Sequence, residues 1–128
     1  MNKREARPRG SGRGPDARAA EHQVGDFASR VLDVAESIPS GRVMSYGDIA
    51  EYVGEGGPRQ VGRVMALWGG GVPWWRVVHA DGSLLAGHER EAMRHYRREG
   101  TPMRKGADGA PGRLDMRKAR WQGETNLT

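Results

Sequence analysis

The sequence has no cysteine, a single phenylalanine and no long apolar run. Each absence removes a class of protein. Without cysteine there can be no disulfide, no thiolate nucleophile and no thiolate-held metal. No stretch approaches the roughly 18–20 apolar residues of a membrane span, and the first residues lack the apolar core of a secretory signal. A soluble, cytoplasmic protein is expected, lying on the nucleoid in a bacterial host. The four histidines, His22, His79, His88 and His95, show no metal-ligand spacing. The nearest pair, His88 and His95, stands at i,i+7 on a polar helix and reads as surface. No Ser-His-Asp constellation can be argued. The "GGG" at 69–71 precedes no strand-to-helix lysine motif, so no phosphate loop is present. No metal or cofactor is expected, and residue types alone give no sign of catalysis.

What the sequence does have is basic charge. Across 128 residues, 21 Lys and Arg stand against 16 Asp and Glu, a formal net charge of +5. Such a balance suits a polyanionic partner, most simply nucleic acid, or a merely solvated basic surface. Residues 1–22 hold six basic and three acidic side chains, so three of the five net charges, among Gly and Pro. That segment is expected to be a disordered basic tail, either a solubiliser or a loose electrostatic arm. Residues 23–122 are expected to form one domain, and 123–128 a flexible end.

Within the domain, helical spacing of Phe27, Val31, Val34, Ala35 and Ile38 predicts a helix capped by Asp26 and ending near Ser37. "SYGDIAEYVG" opens with Ser45 and Asp48, a capping-box-like start, and stops at Gly54. "EGG" is a tight turn, and Pro58 suits the first position of the next helix. In "PRQVGRVMALW", Val61, Val64, Met65 and Trp68 share one face; Arg59, Gln60 and Arg63 share the other. Two short helices joined by a glycine turn, the second basic outside, read as a helix-turn-helix. "RVVHA", Asp81-Gly82 and "SLL" suggest a strand and turn, or a hairpin. "HEREAMRHYRREG" is a charged helix with Met93 and Tyr96 inward, stopped by Gly100. Residues 104–111 read as a loop. Leu114, Met116 and Trp121 anchor a basic closing segment. The fold class expected is α/β: a small, mostly helical, winged-helix-like domain with a helix-turn-helix and a short β element.

"IPSGRVMSYGDIAEYVG", "RQVGRVM" and "VPWWRVV" together resemble the C-terminal domain of the O6-alkylguanine-DNA alkyltransferases, over roughly residues 25–122. That family carries its nucleophilic cysteine in a Pro-Cys-His-Arg-Val motif, which aligns with Pro73 to Val77. Trp74 stands at the cysteine position. This substitution resembles the alkyltransferase-like branch, which binds O6-alkylguanine in DNA without repairing it and usually has Pro-Trp-His-Arg.

The resemblance implies roles. Tyr46 matches the tyrosine that pushes on the phosphate 3′ of the lesion. Arg59 matches the finger that fills the vacated stack. Residues 58–67, including Gln60 and Arg63, match a recognition helix lying in the minor groove. Trp74 matches a pocket wall, between Pro73 and Arg76 of the same motif. There are departures. Trp75 replaces the family histidine, so the base of the alkyltransferase relay is missing, and Glu99, which matches the relay glutamate, is left with a structural role. "WGGGV" replaces the usual Asn-Pro. Alkyltransferase-like proteins can carry a lesion-sensing arginine in the loop after Asp81-Gly82; here only His88 or Arg90 could substitute.

The expectation is a monomeric, non-enzymatic reader of O6-alkylguanine in duplex DNA. It would work by nucleotide flipping and hand the lesion to nucleotide excision repair proteins. Its rivals are a winged-helix transcription regulator reading ordinary sequence and an enzyme with another nucleophile. Indole is a good stacking surface for a flipped base. Trp75, its neighbour in an extended segment, would point away and serve as packing.

Overall fold

The computed structural model describes residues 25–106 and 112–123. The basic segment 1–22 and the end beyond Gly123 lie outside the described residues. In chain order the elements are α1 (Asp26–Ser37), β1 (Met44–Ser45), α2 (Tyr46–Val53) and α3 (Pro58–Trp68), then two 3₁₀ turns (Gly69–Gly71 and Trp74–Arg76). They are followed by β2 (Val77–Val78), α4 (Glu89–Glu99), β3 (Met103–Arg104), β4 (Arg113–Leu114) and α5 (Met116–Ala119). The domain is mostly helical with short strands, as the pattern predicts.

The local signals explain the helices. The Ser45 hydroxyl accepts from the Asp48 N–H, and the Asp48 carboxylate accepts from the Ser45 N–H, closing a capping box at α2. The Arg120 guanidinium also donates to Asp48, tying the end of the domain to this cap. Gly54 ends α2 and Gly100 ends α4, both in the left-handed region. Pro58 takes the first turn of α3, where the Gln60 side chain reaches back to the Gly57 N–H. Asp26, expected as a cap, is instead the first residue of α1. Gly25 holds the cap position and makes no side-chain cap bond; Asp26 contributes only negative charge near the helix's positive end.

Two hydrophobic clusters share one seam. The first joins α1, α2 and α3 through Val31, Ala35, Ile38, Ile49 and Val61. The second gathers Val43, Val78, Ala92, Tyr96, Leu114 and Ala119. The seam is the parallel pair β1–β2, with Met44 opposite Val77 and Ser45 opposite Val78. Successive strand residues point to opposite faces. Met44 and Val77 therefore enter the first cluster, while Val43 and Val78 enter the second. Trp121 donates its backbone N–H to the Val43 carbonyl at 2.7 Å, which fastens the closing segment to the same seam.

No hairpin forms after β2, contrary to the expectation for 76–85. The Asp81 carboxylate takes the Ser83 N–H and hydroxyl, turning the chain sharply. The Gly82 carbonyl then accepts from Leu114 rather than from the segment that follows it. The antiparallel pair is instead β3–β4, Met103 opposite Leu114 and Arg104 opposite Arg113. It takes in Arg104, the first residue of the expected loop.

Candidate nucleic-acid interface

A cavity of about 500 Å³ opens between α3 and the segment leading into α4. Gly62, Met65 and Ala66 of α3 form one wall; Leu85, Ala86, His88 and Glu91 form the other; Tyr46 and Trp74 also line it. Its volume falls in the range of small-molecule pockets, roughly 300–1,000 Å³. Gly62 and Ala66 stand four residues apart on one helix face, so small side chains leave that wall low.

Tyr46 is half-buried at the start of α2, its ring 5.3 Å from that of His79. Burial pushes its phenol above the ordinary tyrosine range, so it remains a neutral donor at physiological pH. Trp74 is also half-buried, with the rings of His88 at 5.7 Å and His95 at 6.0 Å around it.

The Trp pair is a 3₁₀ turn rather than an extended segment. The two rings still diverge, meeting edge to face at 86° with centroids 5.6 Å apart. Trp75 lies flat on His95, 3.5 Å away at 4°, and donates its indole N–H to Glu99 at 2.8 Å. It is a half-buried packing residue. His95, read from the sequence as surface, is the other half of that stack.

Glu99 holds this region together. It accepts from Trp75, from Arg76 through both carboxylate oxygens, and from the Gly41 N–H. The side chains of Arg76 and Glu99 are only 17% and 9% exposed. Burial pushes the Glu99 carboxyl up, but the hydrogen bonds from Arg76, Gly41 and Trp75, with the Arg76 charge, outweigh it and hold the group below the usual carboxylate range. Tyr96, raised far above the ordinary range chiefly by burial, donates to the Trp75 carbonyl at 2.6 Å and fixes the turn from below.

Of the site residues expected from sequence, the cavity brings together Tyr46 and Trp74. Arg59, Gln60 and Arg63 lie on the exposed face of α3, outside the cavity. The Gln60 carbonyl oxygen is engaged by Gly57. Pro73 caps the 3₁₀ turn and does not line the cavity. Arg76, expected at the lesion, turns inward instead: its guanidinium is bound by Glu99 and the Ile38 carbonyl. Of the two substitutes for a loop arginine, His88 lines the cavity and Arg90 does not. Sequence reading missed Gly62, Ala66, Leu85, Ala86 and Glu91. The small pair Gly62 and Ala66, one turn apart on a helix that exposes Arg59 and Arg63, was the available signal; the other three carry none.

Residues 26–101 match the family described as 6-O-methylguanine DNA methyltransferase, DNA binding domain. The chain is 33% identical over 99 residues to a DNA base-flipping protein of Escherichia coli, covering 74% of each. It is 36% identical over 80 residues to alkyltransferase-like protein 1 of Schizosaccharomyces pombe, covering 56% of this chain and 74% of that one. Among solved structures it resembles S. pombe Atl1 in complex with damaged DNA containing O6-carboxymethylguanine. The TM-score is 0.64 at 29% identity, over 75% of this chain and 94% of that one.

Proposed function

The chain belongs to the 6-O-methylguanine DNA methyltransferase DNA-binding-domain family, and on that premise we propose that it recognises O6-alkylguanine in duplex DNA by flipping the nucleotide out, without transferring the alkyl group. The observation that carries this reading is the cavity: it is lined by an indole and a phenol and lies beside a helix that exposes Arg59 and Arg63.

Extruding a base costs a few kcal/mol, less where the pair is already weakened by damage. Stacking on Trp74 returns roughly 1–3 kcal/mol. Arg59 on the outer face of α3 has the length and charge to enter the gap in the stack. Arg63, one turn on, is placed for phosphate contact.

Chemistry is a different matter. Dealkylation needs an activated nucleophile, and the chain has no cysteine. The relay position offers no base either: the Trp75 indole N–H donates to Glu99, and indole has no lone pair to accept a proton. A protein that holds a lesion without consuming it leaves the lesion marked for another system, and transfer to nucleotide excision repair is the step we infer next.

The test uses one duplex with a single O6-methylguanine, its unmodified twin, and a methyl-labelled version. Tighter binding to the lesion with no label on the protein is expected. Equal binding of both duplexes would favour a reader of ordinary sequence, and covalent label would establish an enzyme.

A further inference from the structure

The reading above leaves open which adducts the cavity takes. Its lining is mostly aromatic, small or aliphatic, and the ionisable groups among it are Tyr46, His88 and Glu91. Among the described residues no lysine or arginine lines it, and Glu91 is its one carboxylate. Glu91 is exposed, in the first turn of α4 and three residues after His88. Among the described residues its carboxylate makes no ion pair or hydrogen bond. Arg90, Arg94 and Arg97, which share with it the wall of the neighbouring groove, form no ion pair with it. A bound base with its substituent would therefore meet a carboxylate that no ion pair holds.

We propose that Glu91 is a specificity-determining residue that selects against O6 substituents ending in an anion, such as carboxymethyl, in favour of neutral ones of the same size. The inference rests on the lesion-binding reading and gives it a direction. An anionic adduct is a direct probe, because S. pombe Atl1, to which the chain is similar, has been solved with damaged DNA containing O6-carboxymethylguanine. A like charge brought beside a carboxylate is repelled, and an open mouth screens that repulsion without removing it. An acidic residue in a first turn also favours the helix dipole. That role would alter stability but not the ranking of two adducts.

The experiment uses duplexes identical but for one base: guanine, O6-methylguanine, O6-carboxymethylguanine and its neutral isostere O6-carbamoylmethylguanine. Dissociation constants are measured for the wild type and for Glu91→Gln. The preference for the amide over the acid should be about threefold to fivefold larger in the wild type than in the variant, the scale of an exposed charge pair. The O6-methylguanine constant of each protein serves as its own reference, so that any general change in binding cancels from the comparison. An equal amide-to-acid ratio in the two proteins, with O6-methylguanine still preferred over guanine, would overturn the role of Glu91 alone. Loss of any preference for O6-methylguanine over guanine in the wild type would overturn the lesion reading and this one together.

Discussion

The two walls of the cavity are built by different means. On the α3 side, regular helices pack through aliphatic side chains, Val61 and Val64 facing Val31, Ile49 and Ala50 in one cluster. On the Trp74 side there is little regular structure: a 3₁₀ turn, a two-residue strand and an irregular run to α4. That side is fixed by polar contacts converging on Glu99 and by rings stacked on one another. The first wall rests on many small apolar contacts and degrades gradually. The second rests on a few strong ones and is sensitive to single atoms.

The largest effect should come from Glu99. Glu99→Gln leaves the Arg76 guanidinium nearly buried without its counter-charge, and breaking such a pair costs about 3–5 kcal/mol. Melting should fall accordingly, with Trp74 and Trp75 fluorescence changing before the helical signal. The acid response sharpens the point. The Glu99 carboxyl is held below its ordinary value when folded, so its stabilisation is complete above pH ~4.3, the unfolded value. It is lost as the pH falls through the lower native value. Asp48 behaves alike: burial raises it, but the bonds from Arg120 and Ser45 pull it below the ordinary range. An acid titration of the Gln variant should be flatter than that of the wild type; an identical slope would place the acid sensitivity elsewhere.

Next in size is the Trp pair. Trp74→Ala should cost roughly 1–3 kcal/mol of lesion binding through lost stacking, with a smaller loss of stability. Trp75→Ala should reverse that pattern, losing about 2 kcal/mol of stability, less than the ~3–5 kcal/mol of a fully buried ring. Its ring is half-buried. Melting and titration of both variants decide the matter: a Trp75 variant that melts normally but loses lesion binding would exchange the two assignments.

On the exposed face of α3 the expected effects are smaller. Arg59→Ala should weaken lesion duplex by about 1 kcal/mol more than plain duplex, because it removes both a stack filler and a charge. Arg63→Ala should weaken both by similar amounts, as phosphate contacts do. Equal lesion-to-plain ratios for the two variants would argue against a finger at position 59.

The same contrast explains what could be read in advance. The α2–α3 pair was legible because its signals are local: Ser45 with Asp48, Gly54, Pro58, and apolar residues at helical spacing. The Trp74 wall was legible only in part, because its geometry comes from partners distant in sequence. Nothing near Arg76 announces that Glu99 and the Ile38 carbonyl will hold it, so a side chain expected at the DNA is found inside. The extended reading of the Trp pair failed for the same reason: Tyr96 and Glu99 hold the turn from another element. His95 became a stacking partner of Trp75 only once α4 packed across the turn.

Gly62 carries a further consequence. It sits within α3, on the cavity wall, and beyond its own helix backbone and chain neighbours an added Cβ there would meet no atom within 4 Å. Alanine in a helix interior is about 0.8–1 kcal/mol better than glycine, so Gly62→Ala should raise the melting temperature. It should also narrow the wall over which a base must pass and weaken lesion binding, measurable by the same two titrations. A selection for heat resistance alone would therefore enrich alanine at this position and return a hardier protein that binds its lesion less well. Under the proposed reading, the missing methyl exchanges firmness of the helix for room at the cavity wall.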